Sequence, residues 1–324
     1  MKLDTIRVDG MPGGESLTAA IVALLDAHLC SFESDDVNSV LGTSYLSVAA
    51  DAPLSLWSKA GRDIRLIDSA RVFGVHLRPL HPTAAARGLE NANEFADHFR
   101  DSYVPLIRRA LAAGEPVLAW QGWPGHAALD WGIITRVSGS QLGVAGTAPG
   151  FDEVVELKTP AIQCYVVESV TGASPSAIDL LVHSLNIAAT LMTGKQRFAG
   201  PWITGPTTHD NWRQRLINPT DGDCADDHAA IAHAIASNRK CAGRFLSRHQ
   251  SVIISAGRAV ELIIRHSRLA GELATELVTM FRSGELDDAL RGKCAERVRQ
   301  IQSEDEAIAD NVSTIVQRLT ALAH

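Results

Sequence analysis

The chain has no apolar run approaching the roughly 18 residues that a membrane-crossing helix needs. Its most apolar stretch, Leu17 to Leu25, is interrupted by Thr18 and stopped by Asp26. No membrane segment is expected. The opening Met1–Gly10 has neither a basic start nor an apolar centre, so a secretory signal is not expected and the location implied is cytoplasmic. Five cysteines (Cys30, Cys164, Cys224, Cys241 and Cys294) are far apart, with no Cys-x-x-Cys pair. That spacing argues against a disulfide framework or a zinc knuckle, and for reduced, mostly buried thiols. There is no long basic tract, and 30 basic against 37 acidic side chains leave a formal charge of −7, so nucleic acid is not an expected partner. Gly-x-Gly-x-x-Gly is absent and Gly194-Lys195 lacks the rest of a phosphate loop, so no nucleotide cofactor is implied. No other cofactor and no metal are expected.

What remains is a well-patterned folding sequence. Of 324 residues 46% are hydrophobic and 21% charged, far from the composition of a disordered chain. The length suits two domains, each able to bury a core without staples. The halves differ in pattern. Residues 1–172 mix helical and strand periods; residues 173–324 are periodic almost throughout at helical spacing.

In the first half, Leu17, Ala20, Ile21, Leu24, Leu25 and His28 predict an amphipathic helix behind the Gly13-Gly14 turn. Ser34, followed by Asp35 and Asp36, predicts a capped second helix that Gly42 closes. Phe95, Phe99, Tyr103, Ile107 and Leu111 recur every fourth residue and predict a helix over 91–113. Strands are expected at 116–120, 131–137, 141–145 and 162–168, in an antiparallel sheet because the connections are short. The second half predicts helices at 176–193, 208–216, 226–248, 252–281 and 285–322. Its Glu261, Arg265, Arg268, Glu272 and Glu276 belong on solvated faces. A helical half of this kind can also serve as the surface through which the chain forms a homo-oligomer.

Three constellations have chemical potential. Around Gly13, Gly14 and Ser16 a loop enters a helix, where unsatisfied N–H groups and the dipole can hold an anion or an oxyanion; equally, the glycines can make the turn and Ser16 cap the helix. Trp120, Gln121, Trp123, His126 and Trp131 gather indole plates and polar handles about Pro124-Gly125, as ligand clefts do and as loop-fastening clusters do. Asp221-Gly-Asp-Cys-Ala-Asp-Asp-His228 with His233 lacks the spacing of calcium loops and zinc pairs. It reads as a helix start, with Asp223 as the cap and Asp226 and Asp227 in the first turn.

The order of these features, with Gly13-Gly-Glu-Ser-Leu17 and its helix, Gly114-Glu-Pro-Val-Leu-Ala-Trp120, Trp131-Gly-Ile-Ile-Thr135 and Gly146-Thr-Ala-Pro-Gly150, resembles the papain-like cysteine peptidases of the bacteriocin-processing type. More specifically it resembles acyltransferase-like proteins of the butirosin-biosynthesis protein H type. The resemblance covers about residues 10–170. It implies an α+β fold in which a papain-like domain, 1–172, of N-terminal helices and an antiparallel sheet is followed by an all-α domain, 173–324.

The resemblance also implies where the catalytic groups should be. The family's cysteine begins the first helix, and its place here is Gly13. Its histidine opens the second hairpin strand, where this chain has Asp130 or Trp131, with His126 just upstream. Its orienting acid or amide falls at Thr147-Ala148. All three are replaced. The expectation is a pseudoenzyme whose cleft, lined by Gly13, Gly14, Ser16, Trp120, Gln121, Trp123, His126 and Trp131, binds a small molecule, a peptide or an acyl-carrier group. The alternative is an active hydrolase or acyltransferase that uses Ser16 or Cys30 with His126. Cys30 is poorly placed for it, at the helix end where the dipole disfavours a thiolate.

Overall fold

A computed structural model of the chain describes residues 3–9, 15–49, 66–80, 92–128, 130–172, 174–194, 203–220, 223–252 and 257–322. In chain order the elements are α1 (Ser16–Asp26), α2 (Ser34–Val40), β1 (Val48–Ala49), α3 (Leu66–Val72), β2 (Val75–Pro79), α4 (Ala92–His98), α5 (Val104–Ala112), β3 (Val117–Trp120), β4 (Trp131–Val137), β5 (Val144–Thr147), β6 (Val155–Glu156) and β7 (Gln163–Val170). They continue with α6 (Ala177–Met192), β8 (Ile203–Thr204), α7 (Thr208–Ile217), α8 (Ala225–His249), α9 (Gly257–Arg282) and α10 (Asp288–Leu322). Contacts divide the chain into two units, one of Met1–Val37 with Gly61–Pro175 and one of Asn38–Ala60 with Ser176–His324. The fold is a mixture of helix and antiparallel sheet.

In the first unit six strands make one antiparallel sheet in the order β2-β7-β3-β4-β5-β6. Strand alternation sorts its side chains onto two faces. Val117, Ala119, Ile134, Cys164 and Val166 join the core formed with Phe99, Tyr103, Val104 and Ile107. Leu118 pairs with Ile133 and Tyr165, and Ile133 with Thr147, so these four share the opposite face. α1 packs on β4. It is buried on most sides, from Leu17 to Leu25 with Val22 half-buried, and so has a broader apolar surface than the amphipathic helix expected.

Several local expectations change for identifiable reasons. The helix over 91–113 is interrupted by a wide π-type turn at Phe99–Tyr103. Pro105 has no N–H to donate back to Asp101, and the wide turn keeps Phe99, Tyr103 and Ile107 on one side despite their four-residue repeat. The third strand begins at Val144 rather than Gln141, because Gly143 in the left-handed region (φ +70°) closes the hairpin later than Ser138-Gly139-Ser140 suggests. β2 escaped the sequence pattern. It is an edge strand with a bulge at His76/Leu77 and a terminal Pro79, which an edge tolerates. Ser34 does not cap α2: the Val37 N–H already donates to the Glu33 carbonyl, so the helix starts one residue earlier. Gly42 closes it at φ +81° as expected.

The second unit is mostly helical. α8 packs against α9, and α10 against α9, α7 and α6. Trp212, Ile231, Ile235, Leu277, Phe281, Val298 and Ile301 form its central cluster. α6 opens on a reciprocal cap: Ser176 Oγ accepts from the Asp179 N–H at 3.3 Å while Asp179 accepts from the Ser176 N–H at 3.1 Å. Two details depart from an all-helical segment. Val48–Ala49 pairs antiparallel with Ile203–Thr204, and the unit includes the stretch from Asn38, a long way back in the chain. Asp223 does not cap α8, whose cap position is Cys224. Asp223 instead takes the Thr220 N–H at 3.0 Å and Arg215 Nη2 at 2.8 Å. Glu261, Arg265, Arg268, Glu272 and Glu276 are exposed as expected.

Candidate functional site

The first helical residue of α1 and the first residue of β4 meet. Ser16 Oγ accepts a hydrogen bond from the Trp131 main-chain N–H at 3.0 Å. Glu15, not Ser16, occupies the cap position of α1, and its side chain makes no capping hydrogen bond. Ser16 therefore ties the helix end to the sheet instead of capping the helix. Gly13 and Gly14 lie outside the described residues.

The aromatic cluster grows from the same strand. Trp120 and Trp131 are directly opposite each other on β3 and β4, with ring centroids 6.4 Å apart, and Trp131 is 6.2 Å from Tyr165 on β7. Trp131 is 4% exposed and Trp123 1%, while Trp120 is half-buried. The loop after β3 doubles back through Gln121, which adopts the left-handed conformation (φ +68°), with its N–H on the Asp130 carbonyl at 2.9 Å. Trp123 donates its indole N–H to the Ala119 carbonyl at 3.4 Å. A Cβ on Gly132 would lie 2.6 Å from the Trp123 ring and 2.5 Å from the Thr147 carbonyl oxygen, so Trp123 is packed against bare backbone.

His126 is elsewhere engaged. It sits in the short turn Gly125–Ala127 on the protein surface, its Nε2 donating to the Pro149 carbonyl at 3.2 Å and its ring stacked on Phe151 at 4.9 Å with 9° between planes. A proton held at Nε2 by that carbonyl leaves only Nδ1 as a base. Cys30 follows the other end of α1. Leu29 takes the left-handed conformation (φ +59°) and the Cys30 N–H returns to the Leu25 carbonyl at 3.0 Å, which ends the helix. Its Sγ lies 3.5 Å from the His28 carbonyl, with Gly172 against it. An eleven-residue helix spans about 15 Å, so Ser16 and Cys30 lie at opposite ends of α1.

The thiols split by environment. Burial pushes Cys164 up to about 12 and Cys294 to about 11, so both are protonated and inert. Cys224 is exposed and Cys30 and Cys241 are half-buried, fewer buried than expected.

Sequence reasoning missed a buried polar cluster in the second unit. Arg239 and Asp305, both fully buried, form a two-pronged ion pair with Nε–Oδ1 and Nη2–Oδ2 at 2.7 Å. The same guanidinium donates to the Ser44 carbonyl and to Ser47 Oγ, each at 2.7 Å, and His209 Nε2 reaches Asp305 Oδ2 at 2.9 Å. Burial alone would raise the Asp305 carboxyl. The Arg239 charge and bonds, joined by His209, outweigh it and hold Asp305 below the usual carboxylate range. No spacing along the chain signals this group, because its members come from four separate segments. Its enclosure, with both Asp305 oxygens and the Arg239 guanidinium hydrogen-bonded, suits a structural clasp.

Among the described residues no group of three or more His, Cys, Asp or Glu side chains is placed to hold a metal ion, and no helix is long and apolar enough to cross a membrane. Asp221 lies outside the described residues. No protein-family profile and no curated protein sequence matches the chain.

Proposed function

We propose that the first unit is a papain-like domain that has lost its chemistry and works by binding. Its cleft, at the meeting of α1, β4 and the Trp120–Trp131 loop, takes a small molecule, a peptide or an acyl-carrier group. The observation that carries this reading is the Ser16–Trp131 hydrogen bond. In the family that the sequence resembles, a nucleophile at the head of the first helix faces an imidazole at the head of this strand. Here a serine hydroxyl meets a main-chain N–H at that junction, and Trp131 stands in the strand position.

The third family position supports the same reading. Thr147 is fully buried at the end of β5, paired with Ile133 two residues along β4 from Trp131, so strand alternation places it on the face of Trp131. Its Oγ1 orients nothing in place of the family's acid or amide, since no hydrogen-bond partner among the described residues reaches it. A serine also needs a positioned base, and His126 gives its Nε2 to Pro149.

The test uses the full chain with a p-nitrophenyl ester, an N-acetylcysteamine thioester and a fluorogenic peptide. The expected result is turnover equal to buffer, unchanged in Ser16→Ala, Cys30→Ser and His126→Ala. Turnover that any of the three removes would overturn the inert reading in favour of an active hydrolase or acyltransferase. Binding is read from the fluorescence of half-buried Trp120 on titrating the same compounds, with Trp120→Phe as the control.

A further inference from the structure

A cavity of about 270 Å³ opens in the first unit at the end of α5, beside β2 and β7. Val166 in its lining places it on the sheet face that α5 covers, whereas Trp131 and the cleft belong to the opposite face. The floor takes in Leu80, Leu106 and Val166, and three charged side chains line the walls: Arg78, Arg109 and Glu115. Arg78 is answered by Glu168, whose Oε1 accepts from its Nε at 2.5 Å. Arg109 and Glu115 are of opposite sign, yet they form no ion pair with each other or with another described residue. The cavity thus presents one cation and one anion, held apart, over an apolar floor.

The way α5 ends is a second, independent sign. Arg109 lies in its last turn, where a cation complements the helix dipole. Gly114 then takes the left-handed conformation (φ +80°) and turns the chain back. Its N–H reaches the Leu111 carbonyl at 3.0 Å, and the Glu115 N–H reaches the Ala110 carbonyl at 2.9 Å. This pattern of helix end commonly folds an apolar side chain onto the last turn. Here it folds a carboxylate there: Glu115 is half-buried beside the negative end of the helix, where the dipole disfavours an anion. A cation bound at that place would relieve the conflict.

We infer that this cavity binds an α-amino acid with an apolar side chain. Its ammonium sits at Glu115 and the end of α5, its carboxylate on the Arg109 guanidinium, and its side chain on Leu80, Leu106 and Val166. A zwitterion answers both charges at once, and a guanidinium can hold a carboxylate by two parallel hydrogen bonds. The volume is at the small end of ligand sites, which suits a molecule of this size. The site does not rest on the reading given to the cleft.

The experiment is calorimetric titration of the full chain with L-leucine, L-leucinamide, isocaproate and glycine, with circular dichroism to verify folding of each variant. Leucine is expected to bind. Leucinamide lacks the carboxylate, isocaproate the ammonium and glycine the side chain, and each should bind about tenfold or more weakly. Glu115→Gln should erase the preference for leucine over isocaproate, and Arg109→Gln the preference over leucinamide. Arg136→Gln, on β4 and outside the lining, should bind leucine like the parent chain. Without ligand, Glu115→Gln should melt no lower than the parent; a lower Tm would make the carboxylate a support of the fold and overturn the inference. It is equally overturned if leucine does not bind at millimolar concentration, if either analogue that lacks a charge binds as well as leucine, or if both charge variants keep the parent's preferences.

Discussion

Asp305 and Arg239 are 66 positions apart, yet each is spent on the other: both carboxylate oxygens face the guanidinium at 2.7 Å, in a place with no exposed surface. A carboxylate taken so far out of water is tolerable only with its counter-charge. Removing one partner should therefore cost far more than removing both. Asp305→Asn or Arg239→Met is expected to lower unfolding stability by about 3–5 kcal/mol in urea. The double variant Arg239→Met/Asp305→Leu should lose less than the two single losses combined. Additive losses would mean that the two groups are not energetically coupled.

His228 should make the fold sensitive to mild acid. Burial lowers its pKa from 6.5 to about 4, with Arg291 and Arg215 adding to the effect and Asp223 and Asp227 opposing it. Its Nδ1 accepts the Trp212 indole N–H at 3.0 Å, a bond only the unprotonated nitrogen can make. Between pH 6.5 and 4 the unfolded chain binds a proton that the folded chain refuses. Stability from this group is then complete above 6.5, declines as pH falls, and is exhausted below 4, a change of about 3 kcal/mol. Asp305, whose folded pKa is depressed, adds a further decline only at lower pH, once the unfolded carboxyl begins to protonate. Urea melts from pH 7 to 4 check the first step, and His228→Gln should flatten it.

Ser16→Ala should act on stability. It leaves the Trp131 N–H without its 3.0 Å acceptor at a partly buried junction, for an expected loss of about 1–2 kcal/mol. Ser16→Thr, which keeps a hydroxyl, should recover part of it. His126→Ala, at an exposed position, should cost less than about 1 kcal/mol. A larger loss at His126 than at Ser16 would contradict the roles given to them.

Thiol labelling gives a direct reading of burial. With a disulfide reagent at about pH 8, exposed Cys224 should react first, and Cys30 and Cys241 more slowly. Cys164 and Cys294, held protonated by their surroundings, should react only on unfolding. Prompt modification of Cys164 in the native protein would mean that the core beneath β7 opens.

Sequence alone determined the local grammar of this protein. Apolar spacing marked α1, α6, α8, α9 and α10, the alternating runs marked β3, β4 and β7, and Gly42 marked a helix end, because each depends on neighbours within about one turn. Three things waited for the tertiary structure. β2 became a strand only by pairing with β7, since an edge strand's short pattern carries little burial signal. Asp223, a good cap by type, was drawn instead to Arg215 and Thr220. The Ser16–Trp131 bond and the Arg239–Asp305 pair join residues whose separations in sequence follow no period; only the packing of elements brings such groups together, and only the exclusion of water around them decides how strongly they interact.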